Sequence, residues 1–123
     1  MTAEEVIALL GLVPHPAEGG WFVETWRNPT PVTVPGARST QLATAIYYLL
    51  TPDTVSAMHR LAADEVFHHY AGGPFEMLLL APDGTASTPT LGPDLRAGQR
   101  PQLLIPAGTW QGAVLAAGHP CGL

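Results

Sequence analysis

Apolar and polar residues alternate in short runs along most of this chain, and clusters of turn residues separate the runs. Trp21 to Arg27 alternates aromatic and polar side chains, the period of a half-buried strand. Gln41 to Leu50 is a longer apolar run with β-formers at Ile46, Tyr47 and Tyr48. Val55 to Leu61, Glu65 to Tyr70, Phe75 to Leu80, Gln102 to Ile105 and Trp110 to Ala116 read as further strands, and Thr85 to Thr90 as a weaker one. Thr51-Pro52-Asp53, Gly72-Gly73-Pro74, Pro82-Asp83-Gly84 and Leu91-Gly92-Pro93-Asp94 break the chain between them. In Pro82-Asp83-Gly84 the proline presets φ and the glycine supplies a positive φ. His15 to Gly20 and the proline-rich Asn28 to Gly36 read as loops. Only the N-terminus carries a helical period. Thr2 and Glu5 form a capping box, Val6, Leu9 and Leu10 follow at i, i+3 and i+4, and Gly11 stops the helix. The pattern predicts an all-β sandwich or barrel with one short helix near residues 3 to 10.

Composition narrows the function classes. The length of 123 residues argues for one domain spanning residues 1–123, and 13 Gly with 13 Pro suit a fold of many turns. Five Lys and Arg against ten Asp and Glu give a net charge of −5, with no basic stripe for nucleic acid. The one cysteine, Cys121, excludes an internal disulfide and a thiolate metal cluster. The N-terminus lacks the basic region of a secretory signal, and no apolar run reaches the ~18 residues of a membrane span. The expectation is a cytoplasmic protein without nucleic-acid or membrane partners.

Two motifs carry the chemistry. His59, Glu65 and Gly72 form one, and Pro106-Ala107-Gly108-Thr109-Trp110-Gln111 forms the other. They resemble the two halves of the cupin signature. Leu61 stands where the second His of the first half belongs, and Gln111 where the His of the second half belongs. More narrowly, the chain from Leu12 to Gln111 resembles the DUF985 or "cupin 5" family. Pro14-His15-Pro16, Glu18-Gly19-Gly20 and Glu24-Thr25 resemble the family's opening segment, and Ala43 to Leu50 its first core strand. Ser56 to Arg60, Asp64 to His68, Tyr70 to Gly72 and Leu91-Gly92 resemble its central and later blocks. The resemblance implies a double-stranded β-helix jelly roll and a homodimer. Family members usually continue past the Trp-Gln strand with a Gly-Cys segment. This chain stops at Cys121-Gly122-Leu123, so the resemblance implies a shortened C-terminal segment and a sheet edge left open or covered by a partner chain.

Within that frame, strand alternation puts Ala57, His59 and Leu61 on one face, which the cupin pattern makes the interior. Glu65 is a carboxylate in an apolar strand, costly to bury unless paired or ligated. Alternation places Phe67 and His69 on the face of Glu65 and His68 on the other. The resemblance instead favours His68 as the functional position, and a bulge after Asp64 would reconcile the two. His59, Glu65 and His68 are the candidate acid–base groups. Gln111, Tyr47, Trp110 and His69 are candidate ligand contacts, although Tyr47 and Trp110 suit core or pocket wall better than catalysis. Arg60 belongs on the outer face, where Asp64 can pair with it. His59, Glu65 and Gln111 could also hold a divalent cation (Zn, Mn, Fe or Ni), although the loss of two imidazoles weakens such a site. Three functions remain open: an isomerase, epimerase or lyase working with or without metal on a sugar-like or other polar metabolite, a small-ligand-binding module, and a scaffold whose polar groups satisfy one another.

Overall fold

The computed structural model describes residues 1–33, 35 and 39–123. Helix α1 (Ala3–Leu10) is held by the expected capping box: Glu5 N–H donates to Thr2 Oγ1 and Thr2 N–H to Glu5 Oε2. Gly11, in the left-handed region, ends it. All other regular structure among the described residues is β. The first sheet runs β1 (Val13–Pro14), β2 (Trp21–Arg27), β5 (Thr44–Leu49), all antiparallel. Short strands β3 (Pro31–Thr33) and β4 (Ser39–Gln41) form a hairpin between β2 and β5. The proline-rich loop expected there is thus partly strand, and its Val34 and Gly36 lie outside the described residues.

The second sheet has the order β10 (Thr90–Leu91), β8 (Phe75–Leu80), β12 (Trp110–Leu115), β6 (Val55–His59), with β9 (Ala86–Ser87) paired on β8. The weak strand expected over residues 85 to 90 is therefore two short pieces. Strands β7 (Glu65–His68) and β11 (Gln102–Ile105) pair with each other in unbroken register from Glu65↔Ile105 to His68↔Gln102. No bulge interrupts β7.

Two apolar clusters hold these layers. Leu50, Phe75, Met77, Leu91, Ile105 and Ala113 fill the interior between the sheets, with Tyr48, Phe67 and Leu103 against them. Ala3, Leu12, Leu49 and Cys121 form the second, under α1, with Trp21, Val23 and Tyr47. Alternation along β5 explains the division: Tyr48 and Leu50 face the interior, Tyr47 and Leu49 the helix. On β2, Trp21 packs against this second cluster while Trp26 is exposed. The C-terminus also takes part. Gly122 bridges Leu50 and Gly72 at once, so Cys121–Leu123 lies as a short strand between the ends of β5 and β7.

Candidate functional site

The two cupin-like motifs meet inside the barrel. Strand β12 pairs with β6 so that Gln111 lies opposite His59. The register then shifts between Gln111 and Ala113, with the extra residue on β6, so Ser56 is buried and His59 half-buried while Ala57, expected on the inner face with His59, is exposed. Gln111 is only 1% exposed, and its amide Nε2 donates to Glu65 Oε2 at 2.8 Å. His59, Glu65 and Gln111 therefore come together as the spacing predicts.

The backbone sets the tautomer of His59. Its Nδ1 lies 2.7 Å from the Ala57 carbonyl oxygen. A carbonyl only accepts, so Nδ1 carries the proton and Nε2 is the free position. Nε2 points at Glu18 Oε1, 3.5 Å away.

Sequence reasoning passed over Glu18, and the reason is spatial. Glu18 lies in the loop between β1 and β2, far from both motifs in the chain. His15 shapes that loop by accepting the N–H groups of Ala17 and Glu18 at its Nδ1, at 3.2 and 3.0 Å. Ala57 N–H donates to the Glu18 carbonyl at 2.7 Å, fastening the loop to β6. The glycine pair permits this approach. Gly19 has φ +90°, and a Cβ there would run into the Val55 carbonyl oxygen. A Cβ on Gly20 would sit 2.8 Å from the Tyr48 hydroxyl. The signal in the sequence was this Glu-Gly-Gly triplet, two residues that tolerate close packing directly after a carboxylate.

Tyr48, not Tyr47, belongs to the site. Its hydroxyl donates to the Gly19 carbonyl at 2.7 Å. Burial is the main cause that pushes its pKa up to about 12. The Ser56 hydroxyl opposes that shift, while the nearby Glu18 and Glu65 carboxylates add to it. The phenol is therefore neutral at physiological pH. Glu65 is also raised, chiefly by burial. The Gln111 hydrogen bond lowers it, Glu18 raises it further and His59 lowers it. Both carboxyls are half-buried, Glu65 on β7 and Glu18 on the loop before β2.

The remaining candidates lie elsewhere. Tyr47 packs under α1, edge-on to Tyr70 at 6.0 Å. Trp110 faces outward, 42% exposed, with the Arg60 guanidinium 5.2 Å from its ring centroid. It is neither core nor pocket wall, because Gln111 next to it takes the inward position. Arg60 lies on the outer face as expected, but Asp64 does not pair with it through a salt bridge: Asp64 Oδ1 accepts the Ala107 N–H at 2.8 Å and so ties the two motifs together. With β7 unbroken, the alternation reading describes the backbone. His68 is exposed with Val66 and stacks on Tyr70 at 6.2 Å, so the structure does not bring it to Glu65 and Gln111. His69 is half-buried on the Glu65 side, but its Nε2 lies 3.2 Å from the Gly73 carbonyl oxygen.

Comparison with known proteins agrees with this architecture. The profile of the family described as "Cupin superfamily (DUF985)" matches residues 4–122. An uncharacterized protein of Saccharomyces cerevisiae is 31% identical over 114 residues, which is 85% of this chain and 56% of that protein. The chain thus spans about half the length of the curated relative it matches. A hypothetical protein from Leishmania major superposes with a TM-score of 0.90 at 29% identity, over 99% of this chain and 78% of that one. A protein from Shewanella oneidensis superposes with a TM-score of 0.86 at 35% identity, over 99% and 73%. With its motif halves joined inside a jelly roll and a family profile matched over nearly its whole length, this chain belongs to the DUF985 family of the cupin superfamily.

Proposed function

We propose that the barrel binds a small polar metabolite and moves a proton on it by acid–base chemistry, as an isomerase or epimerase would. The observation that carries this reading is the pair of unlike groups at Gln111. Glu65 is a half-buried carboxyl whose pKa is raised, which favours its neutral form, and His59 has its proton on Nδ1 and Nε2 free. Environments that separate an acid from a base in one site are the pattern of such catalysts. In the proposed step His59 Nε2 takes the proton from a carbon beside a carbonyl. Glu65 gives its proton to the carbonyl oxygen, and the enol forms without any other reactant. Where the carbon that lost the proton bears a hydroxyl, His59 then gives its proton to the former carbonyl carbon while Glu65 takes the proton of that hydroxyl, so the carbonyl has moved by one carbon and both side chains are restored. Gln111 holds the Glu65 carboxyl in place, and the Glu18 carboxylate stabilises the positive charge that develops on His59.

A divalent metal suits these residues poorly. The site offers one imidazole, and Gln111 presents an amide N–H to Glu65 where the wider cupin pattern has a ligating nitrogen. Among the described residues no three His, Cys, Asp or Glu side chains converge to hold an ion. The reading is therefore one of side-chain chemistry.

A second reading is a binding module without turnover, while the apolar filling of the interior by Phe75, Leu91 and Ile105 favours a scaffold whose polar groups satisfy one another. Proton NMR in deuterated water decides between them. Small sugar-like and 2-oxo compounds are incubated with the protein, and exchange at the carbon beside the carbonyl is followed. Exchange that Glu65→Gln abolishes supports the enzyme. Saturable binding with no exchange makes the protein a binding module.

We also propose a homodimer. Val55, Met58, Leu78, Leu80, Trp110 and Val114 are all exposed apolar side chains on three adjacent strands, β6, β8 and β12. A contiguous apolar sheet face of this kind is the usual mark of a protein interface. The partner is a second copy of the chain rather than nucleic acid or a membrane, and no helix among the described residues is long and apolar enough to cross a bilayer.

A further inference from the structure

The loop from His15 to Gly20 carries two titratable side chains, and the proposed reaction uses only one of them, Glu18. His15 is the better covered of the two, its side chain 16% exposed against 27% for Glu18. Its ring lies 4.6 Å from the Phe22 ring of β2 and edge-on to the Tyr48 ring of β5 at 6.3 Å. From this place Nδ1 turns back into its own loop.

Nδ1 accepts two backbone N–H groups, from Ala17 at 3.2 Å and from Glu18 at 3.0 Å. A ring nitrogen that accepts carries no proton, so the proton of neutral His15 sits on Nε2. That nitrogen lies 3.9 Å from Glu18 Oε2, while Glu18 Oε1 lies 3.5 Å from His59 Nε2. The Glu18 carboxylate thus stands between two imidazoles. One shapes the turn that carries it, and the other is the proposed base.

The remaining ties of the loop act on carbonyl groups. Ala57 donates to the Glu18 carbonyl at 2.7 Å, Tyr48 to the Gly19 carbonyl at 2.7 Å and His15 N–H to the Gly20 carbonyl at 2.9 Å. Among the described residues, only the His15 ring bonds the N–H groups of Ala17 and Glu18. It therefore sets the backbone from which the Glu18 side chain reaches His59.

We propose that His15 is a positioning residue for His59, acting through Glu18, and that it works only in its neutral form. Protonation puts an N–H at Nδ1, facing the two N–H groups it had accepted. Both bonds are lost, and the turn no longer holds Glu18 against His59. The cation gains little in return. Glu18 Oε2 is 3.9 Å away and partly exposed, where an ion pair is weak. The other groups facing the ring, Phe22 and the neutral Tyr48 phenol, carry no charge. Docking of the loop therefore releases a proton, so it strengthens as pH rises and weakens as pH falls. The consequence for turnover rests on the acid–base reading, whereas the placing of Glu18 does not.

The test uses asparagine, whose Oδ1 accepts the same backbone N–H groups as Nδ1 and does not titrate. Hydrogen exchange at the Ala57 amide, bonded to the Glu18 carbonyl, reports the docked loop. In the parent its protection factor should be at least about tenfold lower at about pH 5 than at about pH 8, the range in which histidine changes charge. His15→Ala should show the low protection at both pH values and His15→Asn the high protection at both. Parent-like protection in His15→Ala overturns the proposal. So does an acid loss that persists in His15→Asn, since His59 would then be its source. Turnover is read separately. His15→Ala and Glu18→Gln should each slow exchange at carbon several-fold, with the double variant no slower than Glu18→Gln alone, and additive losses overturn the route through Glu18. The expected protection pattern in a protein without turnover refutes the acid–base reading and leaves the placing of Glu18 by His15 supported.

Discussion

Gln111 donates its side-chain amide to Glu65 across 46 positions of sequence, at 2.8 Å and with only 1% of Gln111 exposed. This one contact joins the two halves of the family signature. It also gives the half-buried Glu65 carboxyl its side-chain hydrogen-bond partner. Where the wider cupin pattern has a ligating nitrogen, this chain has an amide donor, and the interior polarity is built around a hydrogen bond.

Removing the amide exposes its role. Gln111→Leu should leave the Glu65 carboxyl without its partner and cost about 1–3 kcal/mol at neutral pH. The loss should shrink in acid, where the carboxyl is neutral. Chemical denaturation at the two pH values measures it.

Glu65 should give the protein a stability profile of a particular sign. Its folded pKa lies above the ordinary value of 4.5, mainly through burial. Its contribution is therefore fully present below 4.5 and is lost as pH rises through the folded value. Glu65→Gln should match the parent in acid, exceed it in stability at neutral pH, and flatten that part of the profile. Thermal unfolding across weakly acidic to neutral pH tests this, and a steeper slope in the variant would contradict the assignment.

The Glu18 loop rests on the absence of a side chain at Gly19. Gly19→Ala should cost at least about 2 kcal/mol, from the left-handed backbone and the collision with Val55 together. Gly84→Ala is the control, since it shares a positive φ but its Cβ meets nothing within 4 Å. It should cost only about 1–2 kcal/mol.

Phe75 and Trp110 are expected to differ in the opposite order to their size. Phe75 is 2% exposed at the centre of the interior, so Phe75→Ala should cost about 3–5 kcal/mol. Within one protomer Trp110 loses mainly its contact with Arg60, so Trp110→Ala should cost the protomer fold less than about 1 kcal/mol, apart from any weakening of the proposed dimer. Denaturant midpoints compare the two.

The outer sheet face supplies the assembly prediction. Val114→Glu places a charge among Val55, Met58 and Leu78 while pointing away from the core. It should halve the mass seen by light scattering without lowering helix or strand content. A dimer that persists would move the interface elsewhere.

Local sequence determined a large part of this protein. The capping box, the positive-φ glycines and the period of two specify α1 and most strands, because these depend on neighbours a few residues apart. Trp21–Arg27, Phe75–Leu80 and Gln102–Ile105 are strands with the bounds their pattern predicts. The motif spacing also located His59, Glu65 and Gln111. Tertiary structure decided the rest. Alternation states that His68 and His69 face opposite ways, but only the unbroken pairing of β7 with β11 determines which of them shares the side of Glu65. Neighbours on β5 likewise exchange roles, Tyr48 going to the interior and Tyr47 under the helix, because two clusters compete for the two faces of one strand. Glu18 meets His59 only because two glycines let a distant loop lie against β6. Short-range sterics and periodicity can be read along a chain, whereas the partner of a side chain depends on which distant backbones can approach closely enough to meet it.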